Sequence, residues 1–160
     1  MFIPFDTLNP TSRAWIFMPD RFLTAGEETQ IMELGKQFVN QWTAHNQELL
    51  ASFTILNHLF LVIAVDESMN QAGGCSIDKE FAFIRQLEKD FQLQLLDRKA
   101  VAYEQDGKII LSSIAKLEKE YKEGRVNEEV ITYNNLVQTK GDLEKNWRIP
   151  MRKSWLMQLI

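Results

Sequence analysis

The sequence predicts an α+β fold, with helices packed on a largely antiparallel mixed sheet. Three observations support this class. Short runs rich in β-branched and aromatic residues alternate with amphipathic helical patterns along the chain. Two pairs of these runs follow each other with no helix between them, which excludes a purely parallel sheet. Hydrophobic residues make up 45% and charged residues 25% of the 160 residues, so a single domain over 1–160 is expected.

The chain begins with a predicted strand and a predicted helix. Residues 13–18 are rich in β-forming residues and end at Pro19, which cannot donate a hydrogen bond to a sheet. Thr24 and Glu27 then have the spacing of a capping box, in which each side chain accepts a bond from the other residue's free backbone amide. The helix is expected to bury apolar residues three and four positions apart, namely Ile31, Leu34, Phe38 and Trp42.

Two further strands are predicted at 49–56 and 59–65, with Asn57 and His58 as the tight turn between them. The second of these runs is continuously apolar. That pattern is typical of a central strand that is covered on both faces. The two runs therefore predict an antiparallel pair at the centre of the sheet.

A second helix is predicted to begin near Ile77, after a polar loop that contains two glycines. Ser76 or Asp78 is expected to cap it, because short oxygen-bearing side chains accept bonds from the free amides of a first turn. The residues expected to face the core are Phe81, Ile84, Leu87 and Phe91.

The last third of the chain predicts a hairpin followed by short elements. Residues 100–103 and 109–111 flank Asp106-Gly107, and both residues of that pair tolerate the positive φ of a hairpin turn. A third helix is expected over 113–123, with Gly124 as its C-terminal stop. The remaining elements are a strand at 130–133 and a short helix near 142–147.

The predicted order of elements is thus β-α-β-β-α-β-β-α-β-α. Its first six elements match the split β-α-β-β-α-β order of a ferredoxin-like core, to which a hairpin and C-terminal helices would be added. A ferredoxin-like core is therefore one architecture that the order permits within the α+β class.

Composition limits the partners. Acidic residues outnumber basic ones by 22 to 18, whereas phosphate neutralisation gives nucleic-acid-binding proteins a basic excess, so nucleic acid is not expected as a partner. One cysteine permits no intramolecular disulfide. The N-terminus lacks the pattern of a signal peptide, and the longest apolar run, 59–65, is far shorter than a membrane span. A cytoplasmic location with no membrane partner is expected.

Four cations near the C-terminus alternate with two tryptophans, a mixture that can stack on bases or hold an acidic surface. We interpret this cluster as aromatic anchors of the last segment with solvated cations between them. Its members are Lys145, Trp147, Arg148, Arg152, Lys153 and Trp155.

Three segments carry a resemblance to a known family. They are WTAHNQELLASF (42–53), VDESMNQAGGCSIDKEFAFIRQLE (65–88) and YNNLVQTKGDLEKNW (133–147). In these segments, and over nearly all of its length, the chain resembles a family of short uncharacterised bacterial proteins that automated naming often labels "ABC transporter ATPase". The resemblance implies a bacterial origin. It implies no activity or cofactor, so no residue inherits a role from it.

The ATPase label conflicts with the sequence. A phosphate-binding P-loop needs G-x-x-x-x-G-K-[ST], in which backbone amides and a lysine surround the phosphates. No such segment occurs: Gly73 and Gly74 are followed by Asp78 and Lys79 at the wrong spacing, and nothing resembles LSGGQ. ATP is therefore not expected as a ligand.

The loop from Asp66 to Asp78 is the predicted functional site. It connects the carboxyl end of a central strand to the start of a helix. Ligands of α/β proteins commonly bind beyond the carboxyl ends of strands. The free amides of a helix N-terminus also favour an anion or a thiolate. The candidate ligand-binding residues are Asp66, Glu67, Gly73, Gly74, Cys75, Ser76 and Asp78.

Cys75 and His45 are the catalytic candidates. A thiol and an imidazole, with Asp66 or Asn46 orienting the ring, are the residue types of nucleophilic catalysis. Each residue also has a structural interpretation. A lone cysteine is commonly a buried apolar residue, and Asp78 would oppose thiolate formation. His45 would cap the C-terminus of the first helix.

No metal site and no nuclease site is predicted. Asp66 and Glu67 are adjacent on a strand and point to opposite faces, so they cannot easily ligate one ion together with His45 or Cys75. The acid-x-Lys pattern at Asp106-Gly107-Lys108 is explained by a hairpin turn.

These observations favour a non-catalytic domain that binds a small ligand or a protein partner around residues 66–78. The alternative is a small enzyme that uses Cys75 as a nucleophile or redox thiol with His45 as the base. A sheet that contacts RNA would need aromatic residues at RNP-type spacing, and that spacing is absent.

Overall fold

The computed structural model of the chain describes residues 1–160 and confirms the α+β class. Its helices are α1 (Ala25–Gln41), α2 (Gly74–Phe91), α3 (Ile114–Lys122) and α4 (Lys140–Asn146). Its strands are β1 (Arg13–Phe17), β2 (Thr43–Ala44), β3 (Gln47–Glu48), β4 (Leu50–Leu56), β5 (Phe60–Asp66), β6 (Ala100–Gln105), β7 (Lys108–Ser113), β8 (Ile131–Tyr133) and β9 (Arg148–Pro150).

The strands are divided between two main sheets and one small hairpin. The first sheet has the order β1-β5-β4, and the second has the order β7-β6-β8-β9. The hairpin consists of β2 and β3. All pairs of named strands are antiparallel, which confirms the largely antiparallel arrangement. A parallel contact occurs as an isolated bridge between Phe2 and Ala51.

The buried side chains show how the layers stack. Ile63 of β5 belongs to the largest core cluster, between the first sheet and helices α1 and α2. Val62, on the opposite face of β5, packs in a cluster with Ala102 of β6. Val101, on the far face of β6, packs in a third cluster with Leu117 of α3. The order is therefore helices, first sheet, second sheet, helix, and β5 is covered on both faces as predicted.

The ferredoxin-like core is not confirmed. The first sheet has the split order of that core, because β5 lies between β1 and β4. A complete core would place the strand that follows α2 against the outer edge of β1. Here that strand, β6, pairs in the second sheet instead. The outer edge of β1 makes only an isolated bridge, between Arg13 and Thr139.

Three tight turns close the hairpins: two of them have two residues, and the turn between Leu56 and Phe60 has three, 57–59. Asn57-His58 and Asp106-Gly107, both predicted as turns, have positive φ at each residue, with values of 54° and 56° and of 52° and 75°. His45-Asn46 has the same character, with φ of 52° and 62°. Such turns match the twist of antiparallel strands. The interpretation of His45 as a helix cap is therefore wrong, since α1 ends at Gln41 and His45 lies in the β2–β3 turn.

Helix α1 begins with the predicted capping box. Thr24 Oγ1 accepts a bond from the Glu27 amide at 3.1 Å, and the Glu27 carboxylate accepts one from the Thr24 amide at 2.9 Å. The buried residues of the helix are Ile31, Gly35 and Val39. Leu34, predicted to be in the core, is exposed. Gly35 lies so close to Phe53 of β4 that a Cβ on residue 35 would overlap the aromatic ring.

Helix α2 begins at Gly74 rather than near Ile77. Gly73 is its N-cap and provides no side-chain bond, so the expected cap by Ser76 or Asp78 is wrong. The buried residues of the helix are Ser76, Glu80, Ile84 and Leu87. The predicted core positions at 84 and 87 are confirmed, whereas the two phenylalanines at 81 and 91 are half-buried.

Candidate functional site

The polar side chains at the start of the predicted loop are engaged in bonds within the loop. The Asp66 carboxylate accepts a bond from the Ser68 amide at 2.9 Å, and bonding by Ser68 lowers the pKa of Asp66. The Glu67 carboxylate accepts a bond from the Ala72 amide at 3.0 Å. Both carboxylates therefore stabilise the turn after β5 instead of facing a common point.

The same loop is fastened to the β2–β3 hairpin. Ser76 Oγ donates to the Thr43 carbonyl at 3.0 Å, and Trp42 Nε1 donates to the Ser76 carbonyl at 2.8 Å. The Asn70 side-chain amide donates to the carbonyls of Ala44 and Gln47 at 3.3 and 3.2 Å. Ser76 is thus a buried structural contact between α2 and the hairpin.

The remaining predicted residues lie in the first turns of α2. Gly74, Cys75 and Asp78 are exposed, and Gly73 is half-buried. A Cβ on either glycine would meet nothing within 4 Å, so open space surrounds the start of the helix. This first turn presents amides and a thiol to solvent.

Cys75 and His45 are both exposed, and no hydrogen bond joins them to each other or to any other side chain. His45 lies in the hairpin turn, and its ring forms no hydrogen bond with Asp66 or Asn46. No group of three or more His, Cys, Asp or Glu side chains is arranged to hold a metal ion.

A larger concave region lies between the two sheets, and we call it the β1 groove. Its volume is about 770 Å³, within the range of small-molecule sites, and 15 of its 20 lining residues are hydrophobic. The lining consists of residues 13–18, 81, 95–98, 100–101, 133, 135–138 and 155–156. Trp15, Phe81, Leu96 and Trp155 are half-buried there, and Leu136 is 65% exposed.

The groove runs along the outer edge of β1. Successive side chains of a strand point to opposite faces, so a cavity that touches six consecutive residues, 13–18, must meet the strand edge-on. The opposite edge of β1 pairs with β5 from Arg13↔Val65 to Phe17↔Leu61. On the groove side, the Ala14 amide donates to the Gln138 carbonyl at 2.9 Å, and pairing stops there.

Two arginines of the groove have no ion-pair partner. Arg13 stacks over the Trp15 ring, with its guanidinium carbon 4.6 Å from the ring centroid, and Arg98 is exposed. The third charged residue of the lining, Asp97, accepts a bond from the Lys99 amide at 2.9 Å. The arginines that do form ion pairs, Arg21, Arg125, Arg148 and Arg152, lie outside the groove. The net charge facing the groove is therefore positive.

Glu80 is a buried acid next to this region. Its side chain is fully buried, and neither carboxylate oxygen has a hydrogen-bond partner. Burial raises the pKa of Glu80 to about 8, and the charge of Arg13 offsets part of that rise. Glu80 precedes Phe81, which lines the groove and contacts the ring of Phe17 at a centroid distance of 5.8 Å.

Two of the four C-terminal cations form ion pairs, whereas Lys145 and Lys153 are exposed. Arg148 makes two bonds to the Glu104 carboxylate, at 2.6 and 2.8 Å, and Arg152 pairs with Glu129 at 2.7 Å. Trp147 is buried against Phe60 with ring centroids 4.8 Å apart. These contacts agree with the interpretation of the tryptophans as anchors.

Sequence reasoning missed the β1 groove and Glu80. The groove depends on which sheet β6 joins, and no local pattern encodes that choice. One feature of the sequence indicates that Glu80 is buried: it lies four residues after Ser76 and four before Ile84, on the same face of the helix.

Comparison of the chain with protein-family models, with curated proteins and with solved structures finds no match. The resemblance to the uncharacterised bacterial family therefore stays a prediction. No helix combines the length and apolar character that crossing a membrane requires.

Proposed function

We propose that this chain is a non-catalytic binding domain and that the β1 groove is its principal binding site. The observation that carries the proposal is the coincidence of three features at one place. They are an apolar concavity, an unpaired strand edge and two arginines without partners.

The chemistry of the groove favours an apolar ligand with an anionic group. Burying apolar surface contributes about 25 cal/mol per Å², so a ligand that covers the half-buried Trp15, Phe81 and Trp155 gains substantial free energy. An anionic group would meet Arg13 or Arg98, neither of which has to leave an ion pair first.

The loop at 66–78 is a weaker place for the same function. Its carboxylates and Ser76 already bond within the protein, so a ligand would have to replace those bonds. The exposed start of α2 at Gly74 and Cys75 stays a second candidate position, where free amides are available to an anion.

The test uses the dye 1-anilinonaphthalene-8-sulfonate, which combines an apolar ring system with one negative charge. We expect saturable binding at one site, with energy transfer from Trp15 and Trp155 to the dye. A matched pair of variants locates the site: Leu136→Glu places a carboxylate on an exposed residue of the groove, whereas Met69→Glu makes the same change on a residue that is 82% exposed outside it.

Dye affinity is expected to fall at least tenfold in Leu136→Glu and to stay unchanged in Met69→Glu. Near-UV circular dichroism and cooperative unfolding must be the same in all three proteins, because loosely folded states also bind this dye. Absence of saturable binding, or equal binding by the two variants, would contradict the proposal.

The alternative function, a small enzyme with Cys75 as nucleophile or redox thiol and His45 as base, has one observation in its favour. Cys75 is exposed in the first turn of a long helix, which is a position that gives a thiol access to a substrate. The missing contact between Cys75 and His45 makes it the second choice.

A further inference from the structure

The edge of β1 that faces the groove has free backbone hydrogen-bonding groups. Ala14 donates to Gln138 on that side, and the Lys140 amide donates to the Ser12 carbonyl, both at 2.9 Å. Alternate residues of a strand direct their amides to the same side, so the Ile16 amide and carbonyl also face the groove. Neither has a hydrogen-bond partner in the protein. Such an edge is a template for an added strand.

The groove is in the position that an additional strand would take. In a ferredoxin-like core with the split order β1-β5-β4, a fourth strand pairs with β1. Here β6 pairs in the second sheet, so that position beside β1 holds no strand. Residues 135–138 form one wall beside the paired start of β1 and residues 95–98 form another. Side chains of an added strand would alternate between the face of Trp15 and Phe81 and the face of Ile16 and Tyr133, and the groove lining is apolar on both.

The charges indicate the composition of that strand. Arg13 and Arg98 are the cations of the groove, and Asp97, its one acid, is engaged by the Lys99 amide. An occupant with an acidic residue would therefore bind better than a basic one. We infer that the β1 groove binds an extended apolar peptide segment of a partner protein, which adds to the edge of β1 and places an acidic side chain near Arg13 or Arg98.

This inference rests on the proposed function and specifies its ligand. A free amphiphilic carboxylate would fill the apolar groove equally well, but it has no chain of amides and carbonyls to pair with Ile16. The unpaired edge is thus the observation that favours a peptide over a lipid-like molecule.

The first experiment measures displacement of the anilinonaphthalene dye by acetyl-Ser-Val-Ile-Val-Asp-Ser-amide. Three forms are compared: unmodified, N-methylated along one edge, and N-methylated at every residue. The one-edge form keeps one free row of amides and is expected to bind like the unmodified peptide. The fully methylated form is expected to bind at least about tenfold more weakly, because it cannot donate to β1. Equal binding of all three forms would overturn the inference.

The second experiment changes the protein. Ile16→Pro removes the amide that faces the groove and leaves the β1–β5 bonds in place, since proline is tolerated where a strand amide faces outward. We expect it to weaken peptide binding at least about tenfold more than dye binding, because the dye does not pair with the strand amide. If it fails to fold, the methylated peptides still decide the question. Arg13→Gln together with Arg98→Gln is expected to lower the affinity for the peptide about fivefold. A peptide with Asn in place of Asp should bind equally to the wild type and to this double variant.

The outcomes separate the two proposals. If the dye does not bind, both fail. If the dye binds and dodecanoate displaces it while no peptide does, the proposed function stands and the peptide inference is overturned. If the chain dimerises in solution and Ile16→Pro prevents it, the occupant is a second copy of this chain, and the inferred partner is wrong.

Discussion

Glu80 of α2 and Arg13 of β1 interact electrostatically but form no ion pair. The Arg13 guanidinium stacks over Trp15, at 4.6 Å from the ring centroid, while the fully buried Glu80 carboxyl has no hydrogen-bond partner. An ionised carboxylate without a partner is costly in an apolar interior, which is why the pKa of Glu80 rises to about 8. The folded protein therefore holds a neutral carboxylic acid at this position at neutral pH.

Replacing Glu80 by glutamine should remove a pH-dependent loss of stability. The folded-state pKa of about 8 lies above the unfolded value of 4.5, so the folded state binds the extra proton between these two values. The free energy of unfolding should then decrease by about 1.4 kcal/mol per pH unit as the pH rises through this window, and level off above it. Below pH 4.5 the titration of Glu80 should no longer change the free energy of unfolding.

The measurement is urea denaturation of the wild type and Glu80→Gln from pH 4 to pH 9. Their difference should be smallest at pH 4 and should favour the variant by about 4 kcal/mol near pH 8. Glu128→Gln, a change of the same kind on an exposed residue, is the control and should follow the wild type. Parallel curves for the wild type and Glu80→Gln would show that Glu80 is solvated or paired.

Gly35→Ala should destabilise the protein by about 1–3 kcal/mol, because its Cβ would overlap the ring of Phe53 and force α1 away from β4. Gly26→Ala is the matched control in the same helix. Nothing lies within 4 Å of its added Cβ, and alanine favours a helix, so this variant should be neutral or more stable by up to about 1 kcal/mol. Thermal unfolding of both variants provides the comparison, and a Gly35→Ala protein as stable as wild type would contradict the close contact.

Glu104 joins three strands of the second sheet, and its removal should weaken their pairing. The carboxylate accepts bonds from Tyr133 Oη on β8 at 2.6 Å and from Arg148 at the start of β9. β6 and β8 share one register pair, Tyr103↔Thr132, so these side-chain bonds supplement a short ladder. Tyr133→Phe should cost about 1 kcal/mol, and Glu104→Gln should cost at least as much.

The Glu104 contribution should depend on pH in the opposite sense to that of Glu80. Its bonds with Arg148, and secondarily with Tyr133, lower the pKa of Glu104, so the stabilisation is present above the unfolded value of 4.5 and is lost as the pH falls through the folded value. Urea denaturation from pH 3 to pH 7 should show the Glu104→Gln difference shrinking toward the acid end. The exposed pair of Arg152 and Glu129 is the control: Glu129→Gln should change stability by less than about 0.5 kcal/mol.

Local chemistry explains which elements the sequence predicts correctly. The turns at Asn57-His58 and Asp106-Gly107 and the cap at Thr24 depend on residues within four positions of one another. The partner of β6 depends instead on contacts between distant segments. Two edges were open to β6, that of β1 and that of β8, and the hydrophobic pattern of 100–105 suits either.

The candidate site shows the same division. The sequence predicts a loop between β5 and α2, and the structure has one there, but α2 begins at Gly74, so the loop is shorter than 66–78. The bonds of Ser76 and Asn70 depend on the β2–β3 hairpin, which the sequence did not predict because four residues in strands leave almost no periodic signal. The sequence pattern favours Phe81 over Glu80 as a core residue, because an apolar side chain is the better core candidate.

Cys75 should react with iodoacetamide in the folded protein, because it is exposed in the first turn of α2. Mass spectrometry under native conditions should show complete modification of the wild type and none of Cys75→Ser. Stability of Cys75→Ser should stay within about 0.5 kcal/mol of wild type, as for other exposed positions. His45→Gln should leave the rate unchanged, since no bond joins the two residues. A rate that falls several-fold in His45→Gln would mean that the imidazole activates the thiol in solution, and it would favour the enzyme over the binding domain.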